Sequence, residues 1–148
     1  YVHKRVGLGG RMDTLQCAIL LAKLDKFEWE VAQRIRLGSQ YNNFFESKVN
    51  TVTQRQDRKS VFAQYTIFSD NRDADQERLS KFGIPTSIHY PVPIHHQDPY
   101  SKFCLSGEGL LNSLKLSQKV LSIPFGPYLS DEEQLEIVSK LLSDRVFG

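Results

Sequence analysis

Two segments of the 148-residue chain carry side-chain types at spacings that could do chemistry. The first runs from His89 to Asp98. Three of the four histidines, His89, His95 and His96, fall within it, beside Tyr90 and Asp98 and punctuated by Pro91 and Pro93. Metal is the first thought, yet structural zinc sites want thiolates and ligand pairs at set separations, and two adjacent histidines on a Pro-x-Pro loop do not easily both turn inward. Prolines lower the entropic cost of holding donors ready, so the imidazoles and the Tyr90 hydroxyl suit hydrogen bonding to a polar, anionic or sugar-like ligand. A surface loop with titrating histidines is the plainer reading of the same residues.

The second segment is Gly7-Leu8-Gly9-Gly10-Arg11. Glycines let backbone N–H groups approach an anion, and a helix beginning near Asp13 would add its positive end. The spacing is not that of a P-loop, and no strand precedes it to make a dinucleotide fingerprint. A flexible entry to a helix is the competing reading. Nucleophilic catalysis finds no support, since there is no G-x-S-x-G elbow and Cys17 falls in a helix interior.

Several elements must position these segments. Asp13 and Gln16 at capping-box spacing, with Leu15, Ile19 and Ala22, predict a helix from Asp13 to Lys23. Asp25 and Glu28 repeat the cap ahead of a long helix striped by Phe27, Val31, Ile35, Gly38, Tyr41 and Phe45, whose stripe reads as core packing. Thr51 to Lys59 is polar and predicts an exposed turn. Ser60 to Phe68 is β-branched and aromatic on both alternating faces, which predicts a central strand. Asp70 is placed to cap a helix carrying Leu79 and Phe82, stopped by Gly83 and Pro85. Thr86 to Tyr90 predicts a short strand, and Pro91 to Asn112 a functional loop. Val120 to Ile123 predicts a third strand. Ser130 with Glu133 then opens a helix with Leu135, Val138, Leu141 and Leu142 inward.

Composition narrows the function classes. With 40% hydrophobic and 24% charged residues, nine Phe and six Tyr, the chain is that of a folded globular protein. A net charge of +2 is too small to advertise nucleic acid or an anionic membrane, and Arg55, Arg58 and Lys59 read as a solvated cluster. The longest apolar run, Cys17 to Ala22, is far short of a bilayer span, so no membrane is expected. Two distant cysteines, Cys17 and Cys104, make no disulfide scaffold, and no signal peptide precedes them, which points to the cytoplasm. The chain opens Tyr1-Val2-His3 without an initiator Met, as a piece of a longer protein would.

The strings themselves carry a resemblance. Gly7-x-x-x-Arg11-Met12-Asp13-x-Leu15-Gln16, Gly83-Ile84-Pro85-Thr86-x-Ile88-His89-Tyr90-Pro91-x-Pro93-x-His95-x-Gln97, and Val120-Leu121-Ser122-Ile123-Pro124 followed by Pro127-Tyr128-Leu129-Ser130-Asp131-Glu132-Glu133 stand in order along the chain. Together they resemble the C-terminal half of the DegT/DnrJ/EryC1/StrS family of pyridoxal-phosphate-dependent sugar aminotransferases. The resemblance implies an α/β (α+β) fold, the small C-terminal domain of a fold-type I aminotransferase, with a small three-stranded sheet, flanking helices and two N-terminal helices. Residues 1–48 would be the tail of the large domain plus an interdomain helix, and residues 49–148 the small domain.

It further implies a homodimer that moves an amino group from an amino acid, typically glutamate, to a nucleotide-linked keto-sugar. Pyridoxal phosphate would serve the full-length protein. The family's Schiff-base lysine lies upstream of the Gly7–Asp13 motif, so no catalytic residue is expected here. Arg11 matches the cofactor-phosphate motif, whereas Gly9 stands where the family normally has the Asn that holds the phosphate, so either the backbone N–H groups of Gly9 and Gly10 replace that amide, or phosphate binding is weaker, or this copy has lost the function. His89, Tyr90 and His95 match the nucleotide-sugar segment. A sugar dehydratase of the same family, or a non-catalytic partner domain derived from such an enzyme, are the alternative outcomes.

Overall fold

Asp13 and Ser130 both form the closed capping boxes their neighbours predict. The computed structural model describes residues 1–100, 102–103 and 110–143. It contains helices α1 (Thr14–Leu24), α2 (Phe27–Phe45), α3 (Arg72–Lys81), α4 (Leu111–Lys119) and α5 (Asp131–Leu142), and strands β1 (Asn50–Thr51), β2 (Tyr65–Phe68) and β3 (Val120–Ile123). At α1 the Asp13 carboxylate accepts from the Gln16 N–H at 2.8 Å, and the Gln16 amide oxygen accepts from the Asp13 N–H at 3.1 Å. At α5 the Ser130 hydroxyl and the Glu133 carboxylate do the same for each other's N–H groups.

The strands form an antiparallel sheet in the order β1-β2-β3, with β2 central. The three-stranded sheet with flanking helices is present, but its membership differs from the sequence prediction. Thr86 to Tyr90 contributes only a bridge between Ser87 and Ser122, and the third strand is Asn50–Thr51. The predicted strand from Ser60 is also shorter. Phe62 takes a left-handed φ of 46°, which breaks extended geometry, and its ring lies on Gly38. Val61 is left exposed.

Tyr41, Phe45, Tyr65, Ile67, Leu79, Leu121 and Leu141 are completely or almost completely buried and knit α2, the sheet, α3 and α5 into one core. Tyr41 stacks on Phe45 and donates its hydroxyl to the Pro124 carbonyl at 3.0 Å. Burial raises the phenol pKa of Tyr41, with neighbouring Tyr65 adding to the effect, and burial likewise raises Tyr65. Asp75 is buried, taking a hydrogen bond from Ser69 at 2.7 Å and an ion pair from Arg78 at 3.0 Å. Arg78 also donates to the carbonyls of Lys140 and Leu141, which satisfies the open end of α5 and ties it to α3.

Four local expectations are corrected. Asp25 ends α1 rather than capping α2, whose first turn starts from Lys26 without a side-chain cap. Asp70 pairs with Lys119, and Asn71 holds the cap position of α3. Leu135 faces solvent while Gln134 and Ile137 turn inward, because the buried stripe of α5 is 134, 137, 138 and 141. The Pro91–Asn112 loop holds a 3-10 turn at Ile94–His96 and runs into α4, an element the pattern did not announce. Of that loop, residues 101 and 104–109, Cys104 among them, lie outside the described residues.

Candidate functional site

β3 is buried along its whole length, and Ser122 at its middle is the hinge of the site. Its backbone exchanges both hydrogen bonds with Ser87, at 2.7 and 3.0 Å. On the other side it stands directly opposite Thr66 of β2, so their side chains share a face. The Ser122 and Thr66 hydroxyls meet at 3.0 Å. His89, two residues beyond the bridge, returns to the same face and sets Nδ1 2.9 Å from the Ser122 hydroxyl. The imidazole is thus held by a strand serine, which leaves its Nε2 edge for a ligand.

Tyr90 follows immediately and is exposed, with its ring edge-on to His89 at 5.4 Å. His95 sits in the Ile94–His96 turn, its ring 4.4 Å from that of His96. His89, Tyr90, Pro93 and His95 form one wall of a groove of about 470 Å³, and Leu116 and Ser117 of α4 form the opposite one. Among the described residues, no carboxylate, lysine or arginine lines it. Imidazole and hydroxyl groups over an apolar floor can orient a polar ligand by hydrogen bonds, and the volume suits a small molecule. Among the described residues no three His, Cys, Asp or Glu side chains are grouped to hold a metal ion.

Gly7 to Arg11 is exposed and stands outside the groove lining. The position a Cβ would take at Gly9 or Gly10 has nothing within 4 Å. The segment is open to solvent along its length, and glycine N–H groups with a neighbouring guanidinium are the group types a phosphate takes. The structure connects this segment to the histidine loop through its start. The Tyr1 ring packs edge-on against Tyr90 at 5.2 Å and His89 at 6.2 Å, and the Gln97 side chain bonds the backbone of Tyr1 and His3. A second cavity, of about 330 Å³, lies against Tyr65, Asn42 and the 51–60 turn. Its two arginines, Arg55 and Arg58, are already paired with Asp57.

The structure brings His89, Tyr90 and His95, the residues the sequence singles out, to one groove, and adds three features the sequence does not announce: Ser122, Thr66 and the α4 wall. Register across the sheet is what brings Ser122 to His89, and no local pattern reports it.

The family model of the DegT/DnrJ/EryC1/StrS aminotransferases matches residues 1–142. The chain belongs to that family. A UDP-2-acetamido-2-deoxy-3-oxo-D-glucuronate aminotransferase of Pseudomonas aeruginosa is 36% identical over 97% of this chain and 39% of its own length. A pleiotropic regulatory protein of Geobacillus stearothermophilus is 32% identical, over 95% and 39%. Among solved structures, a DegT/DnrJ/EryC1/StrS aminotransferase from Brucella abortus superposes with a TM-score of 0.87 at 35% identity, covering 99% of this chain and 39% of that one. DesV of Streptomyces venezuelae, in complex with a ketimine intermediate, follows at 0.85 and 26%, covering 99% and 41%. The chain therefore spans about two-fifths of the length of the relatives it matches. The small α/β fold is that of the matching part of these family members.

Proposed function

We propose that the chain is the C-terminal part of a cytoplasmic, homodimeric enzyme that transfers an amino group from an amino acid, typically glutamate, to a nucleotide-linked keto-sugar. Residues 1–48 belong on this reading to the large domain and its connection, and residues 49–148 to the small domain. The observation that carries it is the groove of His89, Tyr90 and His95, standing on the segment shared with sugar aminotransferases. An Nε2 edge and a phenol there recognise the hydroxyl and phosphate oxygens of a sugar nucleotide. Several relatives are named as aminotransferases or transaminases of UDP- or dTDP-linked sugars.

Pyridoxal phosphate, when bound in the whole protein, supplies the electron sink for amino transfer. Gly9 and Gly10 offer backbone N–H groups and Arg11 a guanidinium to its phosphate. Among the described residues no lysine lines the groove to meet the aldehyde end of the cofactor. We assign that role to residues outside this chain and none of the reaction's proton transfers to this one. His89, Tyr90 and His95 bind and orient the sugar nucleotide, and the glycine turn anchors phosphate.

The natural-length protein, supplied with pyridoxal phosphate, glutamate and a UDP-linked 3-keto-sugar, is expected to produce 2-oxoglutarate and amino-sugar in equal amounts. Amino-sugar formation that falls at least tenfold in His89→Ala supports the assigned role. Dehydrated sugar without glutamate consumption makes the protein the family's dehydratase type. No turnover, together with no UDP binding by either length of chain, leaves the non-catalytic partner domain.

A further inference from the structure

We propose that Ser122 is the positioning residue for His89: its hydroxyl accepts from Thr66 and donates to Nδ1, so that the neutral imidazole carries its hydrogen on Nε2 and offers the groove a donor. The inference deepens the functional reading above and rests on it for the choice of ligand probe.

Strand register places the three groups. Both backbone groups of Ser122 turn to Ser87, at 2.7 and 3.0 Å. Opposite Thr66 the strands therefore form a pair without backbone bonds, the kind in which facing side chains come closest. The Thr66 and Ser122 hydroxyls meet there at 3.0 Å, and His89 Nδ1 reaches the same Ser122 oxygen at 2.9 Å. Ser122 is only 4% exposed, so its hydroxyl hydrogen goes to one of these two neighbours rather than to water.

The hydrogens available decide the direction. Thr66 and Ser122 hold one each, and a neutral imidazole holds one on either nitrogen. If Ser122 donates to Thr66, His89 must carry its hydrogen on Nδ1, and the half-buried Thr66 hydroxyl has to find a water in the cavity of about 330 Å³ that it borders. If Ser122 donates to Nδ1, Thr66 donates to Ser122, and both hydroxyl hydrogens are matched within the chain. Ser122 is the one hydrogen-bonding partner of the Thr66 hydroxyl among the described residues, which favours this second arrangement.

The ring hydrogen then stands on Nε2, the edge without a hydrogen-bonding partner among the described residues. His89 so held recognises an acceptor, a carbonyl, hydroxyl or phosphate oxygen, and its lone pair on Nδ1 is already engaged. A ring kept in one tautomer and one orientation lowers the cost of binding.

The test uses the 148-residue chain with isotope-labelled histidine, at a pH where the imidazoles are neutral, and its Ser122→Ala and Thr66→Val variants, with His89→Gln identifying the ring signals. In the parent, Nδ1 is expected to resonate as an unprotonated ring nitrogen and Nε2 as a protonated one. Thr66→Val removes a donor that the Nδ1 bond does not require, and it keeps that assignment. Ser122→Ala frees Nδ1, whose signal moves toward the protonated range as the second tautomer appears. Titration with UDP-N-acetylglucosamine is expected to move Nε2 more than Nδ1, and to need about fivefold more ligand in Ser122→Ala, the scale of one net hydrogen bond.

A protonated Nδ1 in the parent overturns the proposal, as do ring-nitrogen signals unchanged in Ser122→Ala or reversed in Thr66→Val. So does an Nε2 signal that stays still while other groove residues respond to the sugar nucleotide. If Ser122→Ala does not fold, the parent and Thr66→Val spectra decide. If nothing in the parent responds to UDP-N-acetylglucosamine, the sugar-nucleotide reading falls and the tautomer still judges the role of Ser122.

Discussion

α1 and α5 are near-equals in length, 11 and 12 residues, and each starts from a capping box with both reciprocal bonds closed. Their surroundings are opposite. α5 buries Ile137, Val138 and Leu141 against the sheet and receives Arg78 at its carbonyl end, whereas α1 buries nothing and exposes Leu15, Ile19, Leu20, Leu21 and Leu24. A cap decides where a helix begins. Burial is decided by whether another element offers a face, and for α1 no element among the described residues does. A run as apolar as Cys17 to Ala22 is an expensive surface to leave in water.

The strongest way to break the contrast is to truncate one leucine in each helix. Leu141 is fully buried, and Leu141→Ala is expected to cost about 2–5 kcal/mol in denaturant unfolding, the sum of lost transfer energy and a cavity. Leu21 is 67% exposed, and Leu21→Ala is expected to stay within about 0.5 kcal/mol. Equal costs would mean that α1 is covered in solution by a second copy of the chain. Sedimentation would then show a dimer that Leu21→Glu dissociates.

Alkaline titration separates the same two regions by charge. Tyr41 and Tyr65 belong to the packed half, and burial raises both phenols above the ordinary value. A raised acid is favoured neutral in the fold. Its contribution is therefore fully present below the unfolded phenol pKa of about 10 and is lost as pH rises through the raised folded values. Phenolate absorbance from these two tyrosines is expected to appear only together with loss of the helical circular dichroism signal. Ionisation of all six tyrosines with the helices still intact would contradict the burial.

A smaller effect comes from two glycines. A Cβ at Gly38 would overlap the Phe62 ring, while one at Gly126 has nothing within 4 Å. Gly38→Ala must displace a ring packed with Tyr65 and Phe125, and the overpacking is expected to cost about 1–3 kcal/mol. The helix propensity of Ala returns about 1 kcal/mol of that. Gly126→Ala is expected to change stability by less than about 0.5 kcal/mol. Stabilisation by Gly38→Ala would show that Phe62 yields easily, and that the left-handed turn at Phe62 contributes little to the wall of the core.

What the chain displays locally proved readable, and what depends on register did not. Asp13/Gln16, Ser130/Glu133 and Gly83 with its φ of 74° are contained within four residues each, so the ends of α1, α3 and α5 could be placed. β1 has only two residues and exists because Asn50 and Thr51 meet Phe68 and Ile67, which no propensity reports. α4 was hidden because its residues are two serines, an asparagine and a glutamine among leucines and lysines, without a side-chain cap. At the site, imidazole and phenol chemistry marked His89 and Tyr90. Their supports, Ser122 and through it Thr66, are ordinary polar residues whose roles arise only from partners 33 and 56 positions away.

The last comparison sets the two capping boxes against each other. Ser130→Ala removes the acceptor for the Glu133 N–H at the head of a helix that is part of the core, and it should lower global stability by about 1 kcal/mol. Asp13→Ala removes the equivalent bond, but α1 adds no buried side chain to the cooperative unit, so fraying there subtracts helical signal without moving the melting midpoint. Thermal melts followed by far-ultraviolet circular dichroism read both quantities at once. The Glu133 carboxylate, held below its ordinary pKa by the Ser130 N–H first and its hydroxyl second, adds a pH signature to the parent and to Ser130→Ala alike. Its contribution is present above the unfolded glutamate value and fades as pH falls through the lowered folded one; the N–H survives in Ser130→Ala, so both lose stability in acid and their difference narrows only by the hydroxyl's share. A midpoint shift from Asp13→Ala as large as that from Ser130→Ala would place α1 inside the folding unit, and its apolar face would then have to be covered by another copy of the chain.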